Sequence, residues 1–546
     1  LEEFKSRGNS YGFRMQPLEK IYLHSDINDE IEPVSDISRI WYFSVIAVFI
    51  LLIACINFMN LATAKYANRA REVGIRKVIG SKKSQLVSQF LIESVLVSLF
   101  AITIALVLVE LFLPVFNNLS QKTLNIQYFV DWYYIPLLLV VGLFVGLLAG
   151  TYPAFFLSSF SPLRILKKEI SRGIKGNRLR GALVTSQFVV TIVLFISTVV
   201  IYQQNHFVTH KKLGFDKDKV LIVDRPYYVK DLNTFMQELE KHPSIQAASV
   251  SGSFPGRDYG GSTLQVEGRS SEDMVFFATN YVEEDYLKAM GLKLLKGRFF
   301  SSDYSDNAGS IVINQKAARE LGFDDPIGKY VMQGDRKFNI IGVVENHHYE
   351  SLHKKIRPLG LYYYDNQYYQ YMPVKIRGGN IQESIRHIRE TWDEFSQGQP
   401  FSYFFLDRDY EKLYNSEMRT ARVFTIFSML AIFIACLGLF GLSAFMAEKR
   451  TREIGIRKAM GARINQILGI LYKEVMVLLL FSTLLAWPLS YYLMSRWLEN
   501  FAFRIELSLL PFAGASILAL VVAVATTSTQ VLKAAYTNPA ETLRDE

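Results

Sequence analysis

The chain has 546 residues, half of them hydrophobic, and its mean hydropathy is positive at +0.15. It is too apolar for an ordinary soluble enzyme, so the composition indicates an integral membrane protein with an extramembrane domain. The formal net charge of +9 does not indicate nucleic-acid binding, because the cationic excess lies in short loops beside apolar runs. Membrane topology and anionic lipid headgroups account for charge in such loops.

Residues 1–39 are interpreted as the end of an extracytoplasmic domain. The segment Glu19-Lys-Ile-Tyr22 is similar to Glu411-Lys-Leu-Tyr414, and each stands shortly before an apolar run. The chain begins with Leu1 and shows no signal sequence. We therefore expect one span and one outer domain to be missing, so that a complete chain would have eight spans and this one has seven.

Apolar runs along the chain predict the membrane spans, since crossing a bilayer takes about 20 apolar residues. A span near 87–113 is interrupted by Glu93 and Glu110, which we place near its two ends because a carboxylate at mid-bilayer is costly. Six further spans are predicted from uncharged runs: 40–64, 132–163, 181–205, 423–447, 475–495 and 507–532.

The distribution of lysine and arginine predicts the orientation of these spans. Loops 65–86, 164–180 and 449–463 are rich in both residues, whereas connections 114–131 and 496–506 are poor in charge. Cation-rich short loops stay in the cytoplasm. This pattern puts residues 206–420 outside the membrane and the C-terminus inside.

The polar stretch 206–420 predicts an α+β domain. Helices are expected at Gln315–Leu321 and at Ile381–Phe395, the second with apolar residues on one face. Strands are expected where β-branched and apolar residues concentrate, namely 220–223, 310–314, 338–344, 374–377 and 401–406. Both ends of the stretch continue into spans without a helix breaker, so we expect unbroken helical stalks.

A basic segment occurs twice, once in Asn68–Gly80 and again 381 positions later in Lys449–Gly461. Membrane topology alone is one explanation. A phosphate-binding loop is excluded by spacing, because Gly74 and Gly80 are separated by five residues rather than four and Ser81-Lys82 follows. A docking element is the third explanation, and the repeated residue order favours it. The matching residues are Arg71, Glu72, Gly74, Arg76, Lys77 and Gly80 in the first copy and Arg452, Glu453, Gly455, Arg457, Lys458 and Gly461 in the second.

Three histidines and several tyrosines have two interpretations each. His347, His348 and His353 could ligate zinc, but beyond Glu345 and Glu350 no cysteine or carboxylate cluster completes a site, and polar surface loops often contain histidine. The tyrosines at 362–364 and 368–369 could form a ligand platform or simply alternate on an exposed sheet. We expect neither a metal site nor catalytic residues in this chain.

The duplicated segment resembles the cytoplasmic signature Arg-Glu-Ile-Gly-Ile-Arg-Lys-Ala-Met-Gly-Ala of MacB/FtsX-like ABC transporter permeases. Nearly the whole chain takes part in the resemblance, including Val343–His353 and Asn538–Arg544, which are similar to stretches of the two-unit, eight-span members found in Bacteroidetes. One departure is His347, where that family's stretch usually has Phe. A truncated N-terminus is the other.

This resemblance implies a seven-span helical membrane protein with an extracytoplasmic domain of the MacB-like periplasmic core type. The implied divisions are 1–39, remnant of a first outer domain; 40–163, first three-span unit; 164–180, cytoplasmic linker; 181–205, span and stalk; 206–420, outer domain; and 421–546, second three-span unit. The repeated segments would be coupling helices on two separate cytoplasmic ATPase subunits, with Arg71, Glu72, Arg76 and their counterparts Arg452, Glu453, Arg457 as contact candidates.

The resemblance also implies a function. The chain would be the non-catalytic permease of an efflux system in a bacterial inner membrane, with ATP and Mg bound only by the partner ATPase. ATPase-driven movement would be transmitted to the outer domains. The alternatives are an FtsX-like regulator of cell-wall hydrolases and an antimicrobial-peptide sensing or resistance module. Possible further partners are membrane lipids and a periplasmic adaptor, an outer-membrane component or a hydrolase, but no nucleic acid.

Overall fold

The computed structural model describes residues 15–24, 37–68, 70–120, 123–125, 133–158, 174–270, 273–363, 369–449, 457, 460 and 464–536. The described chain forms two compact units. A helical unit contains the residues up to Ile201 together with Arg419–Met494 and those from Leu507 onward. An α+β unit contains Tyr202–Met418 and the short segment Ser495–Glu506.

Seven helices in the described residues are long and apolar enough to cross a membrane, which confirms the predicted number of spans. The interrupted span is among them, as part of one unbroken helix with Glu93 and Glu110 each about ten residues from an end. The helices before the α+β domain are α1 (Leu18–His24), α2 (Ile37–Asn68), α3 (Ala70–Val78), α4 (Lys83–Ser120), α5 (Tyr134–Ser158) and α6 (Ile174–His210). Those after it are α12 (Asn415–Lys449), α13 (Ile464–Leu498) and α14 (Leu510–Tyr536).

Helices α4 and α5 pack closely because α5 presents a row of glycines. A Cβ added to Gly146 would lie 2.7 Å from Cα of Val95, and one added to Gly150 would lie 2.7 Å from Cβ of Ser94. The Ser98 hydroxyl donates to the carbonyl of Gly142 at 2.9 Å. Small residues at every fourth position let membrane helices approach this closely.

Helices α2 and α12, the first helices of the two repeats, pack against each other along their apolar faces. Phe43 and Phe424 hold equivalent positions, and their ring centroids are 6.0 Å apart. Further along, Ile50 and Ile53 share one apolar cluster with residues of α12 that include Ala431 and Ile434. The contacting positions on α2 alternate between three and four residues apart, as in the seam of a coiled coil.

In its described residues, the α+β unit contains two β-sheets. The strands are β1 (Val220–Asp224), β2 (Ile245–Ala248), β3 (Gly260–Val266), β4 (Met274–Val282), β5 (Leu294–Gly297), β6 (Ser310–Asn314), β7 (Tyr330–Gln333), β8 (Arg336–Val344), β9 (Leu359–Tyr363), β10 (Tyr371–Ile376) and β11 (Tyr403–Phe405). The helices are α7 (Leu232–Glu240), α8 (Tyr286–Met290), α9 (Gln315–Leu321), α10 (Ile381–Phe395) and α11 (Leu406–Lys412).

The smaller sheet has the order β11-β1-β10-β2 and is antiparallel throughout. Helices α7 and α10 cover one face of it, and the fully buried rings of Phe235 and Trp392 pack edge to face at 6.1 Å. The larger sheet has the order β5-β8-β6-β9-β4-β3-β7, and β7 also pairs with β8. That pairing closes six of its strands into a barrel, with apolar residues such as Phe277 and Ile340 in one buried cluster.

Most predicted elements of the outer domain are confirmed. Helices α9 and α10 have the predicted bounds, and so does β6. The strand predicted at 401–406 is shorter, because Leu406 begins helix α11 instead of ending the strand. The unbroken stalk helices are confirmed too, since α6 extends to His210 and α12 begins at Asn415.

Candidate functional site

The first copy of the basic segment forms the short helix α3, which is anchored on one side. Val73 is 3% exposed and packs in an apolar cluster with Leu86 and Phe90 of α4 and with Ala154 of α5. Gly74 beside it is also buried. Helix α3 therefore has a fixed position against α4 and α5, and Ala62 of α2 belongs to the same cluster.

Charged residues beside Val73 hold one another in place at the edge of the contact between α3 and α4. Nη2 of Arg76 lies 2.7 Å from Oε1 of Glu72, one helical turn earlier, and both side chains are nearly half exposed. Nη1 of Arg76 donates to Oε1 of Gln89 on α4 at 3.0 Å. An exposed pair of this kind contributes only about 0.3–0.5 kcal/mol to stability. Its main effect is to fix the direction of the guanidinium group.

A glycine turn ends α3 and leads into α4. Gly80 has a φ of +104°, a conformation that residues with a side chain rarely adopt, and a Cβ added there would meet no atom within 4 Å. The amides of Gly80 and Ser81 donate to the carbonyls of Lys77 and Arg76 at 3.1 and 3.0 Å. Gly80 is therefore required for its backbone conformation and not for a contact. Partial burial, with the nearby Lys83 ammonium as a second cause, lowers the pKa of Lys77.

An exposed apolar tip accompanies the charges, and sequence reasoning did not single it out. Ile75, Val78 and Ile79 are 48%, 64% and 80% exposed. Met460, which is equivalent to Ile79 in the second copy, is 82% exposed. The repeat offset was the signal that could have found this pair of large apolar residues. Together with the charged side chains, the tip forms a surface suited to a protein partner.

Only some of the predicted site residues belong to the part of the chain that the structure describes. It brings Glu72 and Arg76 together, buries Gly74, half-buries Lys77 and puts Gly80 in the turn. In the second copy Arg457 is described and exposed. Arg452, Glu453, Gly455, Lys458 and Gly461 lie outside the described residues, and so does the side chain of Arg71.

Two of the three histidines singled out in the sequence are buried, so the surface-loop interpretation is wrong for them. His347 is fully buried and His348 is 8% exposed. Burial lowers the pKa of each to about 4, and the Lys211 ammonium contributes at His348. Nε2 of His347 has no hydrogen-bond partner among the described residues. In the same described part of the chain, no three histidine, cysteine, aspartate or glutamate residues are grouped as metal ligands.

The tyrosines also differ from expectation. Tyr362 and Tyr369 are each 3% exposed and belong to apolar clusters, so the exposed-sheet interpretation is wrong for both. Residues 364 and 368 lie outside the described residues. The side chains at 362 and 369 are core residues and form no ligand platform.

Seven apolar helices and a separate α+β domain define the class of protein: a membrane protein with an extracytoplasmic domain. Residues 44–162 and 425–539 each match the FtsX-like permease C-terminal family, and residues 188–385 match the MacB-like periplasmic core domain. The chain belongs to the MacB/FtsX-like permease family of ABC transporters. Both copies of the basic segment lie within the two FtsX-like matches.

Curated relatives match parts of the chain. The macrolide export ATP-binding/permease protein MacB of Campylobacter jejuni is 30% identical over 124 residues, which are 23% of this chain and 19% of the relative. MacB of Aggregatibacter actinomycetemcomitans is 26% identical over 271 residues, covering 46% of this chain and 39% of the relative. The chain thus spans between about a fifth and two fifths of the length of these relatives.

One solved structure with a detectable likeness is the periplasmic region of MacB from Actinobacillus actinomycetemcomitans. It shares 17% sequence identity, and the match covers 38% of this chain and 97% of that one. The TM-score is 0.27, so the family assignment rests on the sequence matches alone.

Proposed function

We propose that this chain is the permease subunit of an ABC-type export system in a bacterial inner membrane. Helix α3 and the equivalent segment 449–461 would each bind a cytoplasmic ATPase subunit. The chain would have no catalytic residue of its own, and ATP and Mg would bind to the partner. Movement of the ATPases would pass through the spans and the two stalk helices to the outer domain.

The geometry of α3 supports a coupling role. Val73 anchors the helix among α4 and α5. The Glu72–Arg76 pair lies beside it and reaches Gln89 of α4, and the exposed Ile79 follows the end of the helix. A short helix held in this way moves together with the spans that it packs on. An exposed apolar residue surrounded by oriented charges gives a partner both affinity and a defined binding direction.

The observation that carries the proposal is the contact between the two repeats. Equivalent residues of α2 and α12 face each other, as at Phe43 and Phe424. Such pairing is typical of two-fold related subunits, here joined in one chain. One polypeptide would therefore present two coupling segments, and we propose two ATPase copies per chain.

Export is favoured over the regulation of a cell-wall hydrolase by the names of the curated relatives, which are macrolide exporters. The MacB-like core domain in the outer stretch also supports it. Deletion of the gene should cause loss of export of a cargo, whereas altered septation with bound hydrolase would support the regulator instead.

A charge swap tests whether α3 contacts an ATPase. In Glu72→Arg/Arg76→Glu the ion pair within the helix is kept, but the order of its two charges is reversed. The same swap is made at Glu453 and Arg457. We expect the doubly swapped chain to reach the membrane at wild-type levels, and to lose the ability to bind and stimulate its co-expressed ATPase.

Glu72→Gln/Arg76→Gln is the matched control, because it removes the ion pair without reversing charge. It should weaken ATPase binding less than the swap does. Wild-type ATPase stimulation by the swapped chain would leave the segments with a role in membrane topology alone.

A further inference from the structure

The segment His347–His353 lies in the connection from β8 to β9 and was singled out by the sequence, yet the proposed function gives it no role. It lies in the α+β unit together with the end of α6, the start of α12 and the loop Ser495–Glu506. That segment, called the loop below, comprises the last residues of α13 and most of its connection to α14. The contacts among these four parts of the chain indicate what the segment His347–His353 does.

The loop is bound to the segment through its backbone. The amides of Ala502 and Phe503 donate to the carbonyls of His353 and Leu352, both at 3.3 Å. The imidazole of His353 stacks on the ring of Phe501 with centroids 4.4 Å apart. The edge of His348 meets Phe503 at 4.6 Å. The segment thus contacts three consecutive residues of the loop, 501–503.

Gln204, near the end of α6, binds the same loop from another side. Its Nε2 donates to the carbonyl of Phe503 at 2.9 Å, and its Oε1 accepts from the amide of Ile505 at 2.9 Å. The side chain of Gln204 is fully buried. Both ends of this amide are therefore satisfied by loop backbone, and a buried amide that loses its partners is strongly penalised.

The remaining residues of the segment attach it to the outer domain. Tyr349 stacks on Tyr259 at 4.8 Å in the domain core. Glu350, 9% exposed, accepts two hydrogen bonds from Arg357 at 2.9 and 2.7 Å. The Leu352 amide donates to the hydroxyl of Tyr414 at 2.9 Å. One side of the segment is fixed to the domain and the other holds the loop.

We propose that Gln204 and His348–His353 form a latch that holds loop 495–506 to the outer domain. Because this loop is continuous with α13 and α14, the latch adds a third route, beside the two stalk helices, by which movement of the spans reaches the domain. The transmission role rests on the proposed function, while the latch itself does not.

Hydrogen exchange of the whole chain in lipid nanodiscs tests the latch. Gln204→Leu removes both amide contacts at nearly constant volume, and exchange of the Ile505 amide should become about tenfold faster. Gln203→Leu, the same change at the adjacent half-buried position, should leave it unchanged. Unaltered exchange in β8 would show that the domain stays folded. Equal Ile505 exchange in Gln204→Leu and wild type would overturn the latch.

A second variant approaches the latch from the loop. Ile505→Pro removes the donor to Gln204 without altering α6. The amides of Ala502 and Phe503, which donate to the segment, should then exchange faster as well. If hydrogen exchange at both amides stays as slow as in the wild type, Gln204 does not hold the loop and the proposal is wrong.

The transmission role is tested in the complex with the ATPase, comparing ADP with a trapped ATP state. In the wild type, exchange should change on nucleotide binding both in loop 499–506 and in 347–353. In Gln204→Leu the loop should still respond and the segment should not, with ATP hydrolysis maintained. A wild-type response of the segment in Gln204→Leu would refute transmission through the latch. A wild-type complex without any nucleotide response would instead refute the proposed function.

Discussion

Asn57 and Gly438 hold the same position in the two copies of the repeat, and they touch each other across helices α2 and α12. Nδ2 of Asn57 donates to the carbonyl of Ile434, and a Cβ at Gly438 would overlap the Asn57 amide. Residues related by two-fold symmetry contact each other only close to the axis. The contact therefore locates the pseudo-two-fold axis of the two repeats, and it also shows where their symmetry is broken.

The close approach at Gly438 predicts a specific sensitivity to added volume. Gly438→Ala should destabilise the packing of α2 on α12 by about 1–3 kcal/mol, because the new methyl group displaces the Asn57 amide from its position. The measurement is the thermal unfolding temperature of the detergent-purified chain. Gly514→Ala in α14 is the control, since open space surrounds that glycine. If both variants unfold at the same temperature, the contact is not tight.

The pairing of α2 with α12 predicts cross-linking within one chain. With Cys55 and Cys436 replaced by alanine, cysteines introduced at Phe43 and Phe424 should be joined by a short bis-methanethiosulfonate cross-linker, because the side chains that they replace face each other with ring centroids 6.0 Å apart. A protease site inserted at 364–368 makes the linkage visible as fragments that stay together until reduction. Covalent dimers of two chains as the main product would show that the repeats pair between molecules.

The buried imidazole of His347 predicts that phenylalanine is better suited to its site. Nε2 lacks a partner among the described residues, so His347→Phe should stabilise the outer domain by about 1–2 kcal/mol. Resistance to limited proteolysis across a urea series measures this. The control is His353→Phe, where the ring lies partly exposed against Phe501 and no gain is expected. A less stable His347→Phe domain would mean that the imidazole makes a stabilising interaction.

Acid should destabilise the outer domain, and the buried histidines determine the pH range. The pKa values of His347 and His348 are about 4 when folded, below the 6.5 of an unfolded histidine. Between these values the unfolded chain binds more protons, so this contribution is complete above pH 6.5 and is lost as the pH falls towards 4. The urea midpoint of the domain should fall between pH 7 and pH 5, and less so in His347→Phe. A midpoint that does not vary with pH would contradict the assignment.

The proposed orientation predicts which surfaces meet an impermeant thiol reagent. In the background without native cysteines, Tyr304→Cys, half exposed in the outer domain, should be labelled in spheroplasts with an intact inner membrane. Ile79→Cys, 80% exposed at the tip of α3, should be labelled only after lysis. Labelling of Ile79→Cys before lysis would place α3 on the outer side and exclude a cytoplasmic ATPase as its partner.

Local sequence determined the membrane spans, several elements of the outer domain and the position of the candidate site. Runs of about 20 apolar residues specify spans wherever they occur, and the periodicity of Ile381–Phe395 predicted α10 with its observed bounds. The duplication of Asn68–Gly80 also pointed to the site, because the second copy is recognisable from the order of its residues alone. These features depend on residues that are close together in the chain, and so the sequence is enough to predict them.

Tertiary structure decided the rest, because it depends on residues far apart in sequence. The burial of His347 follows from Gly214, whose φ of +81° and missing Cβ let the backbone at Asn346 and His347 approach. The contact of Asn57 with Gly438 and the hold of Gln204 on Phe503 each join positions hundreds of residues apart. No local pattern specifies such pairs, since their contacts exist only once the chain has folded.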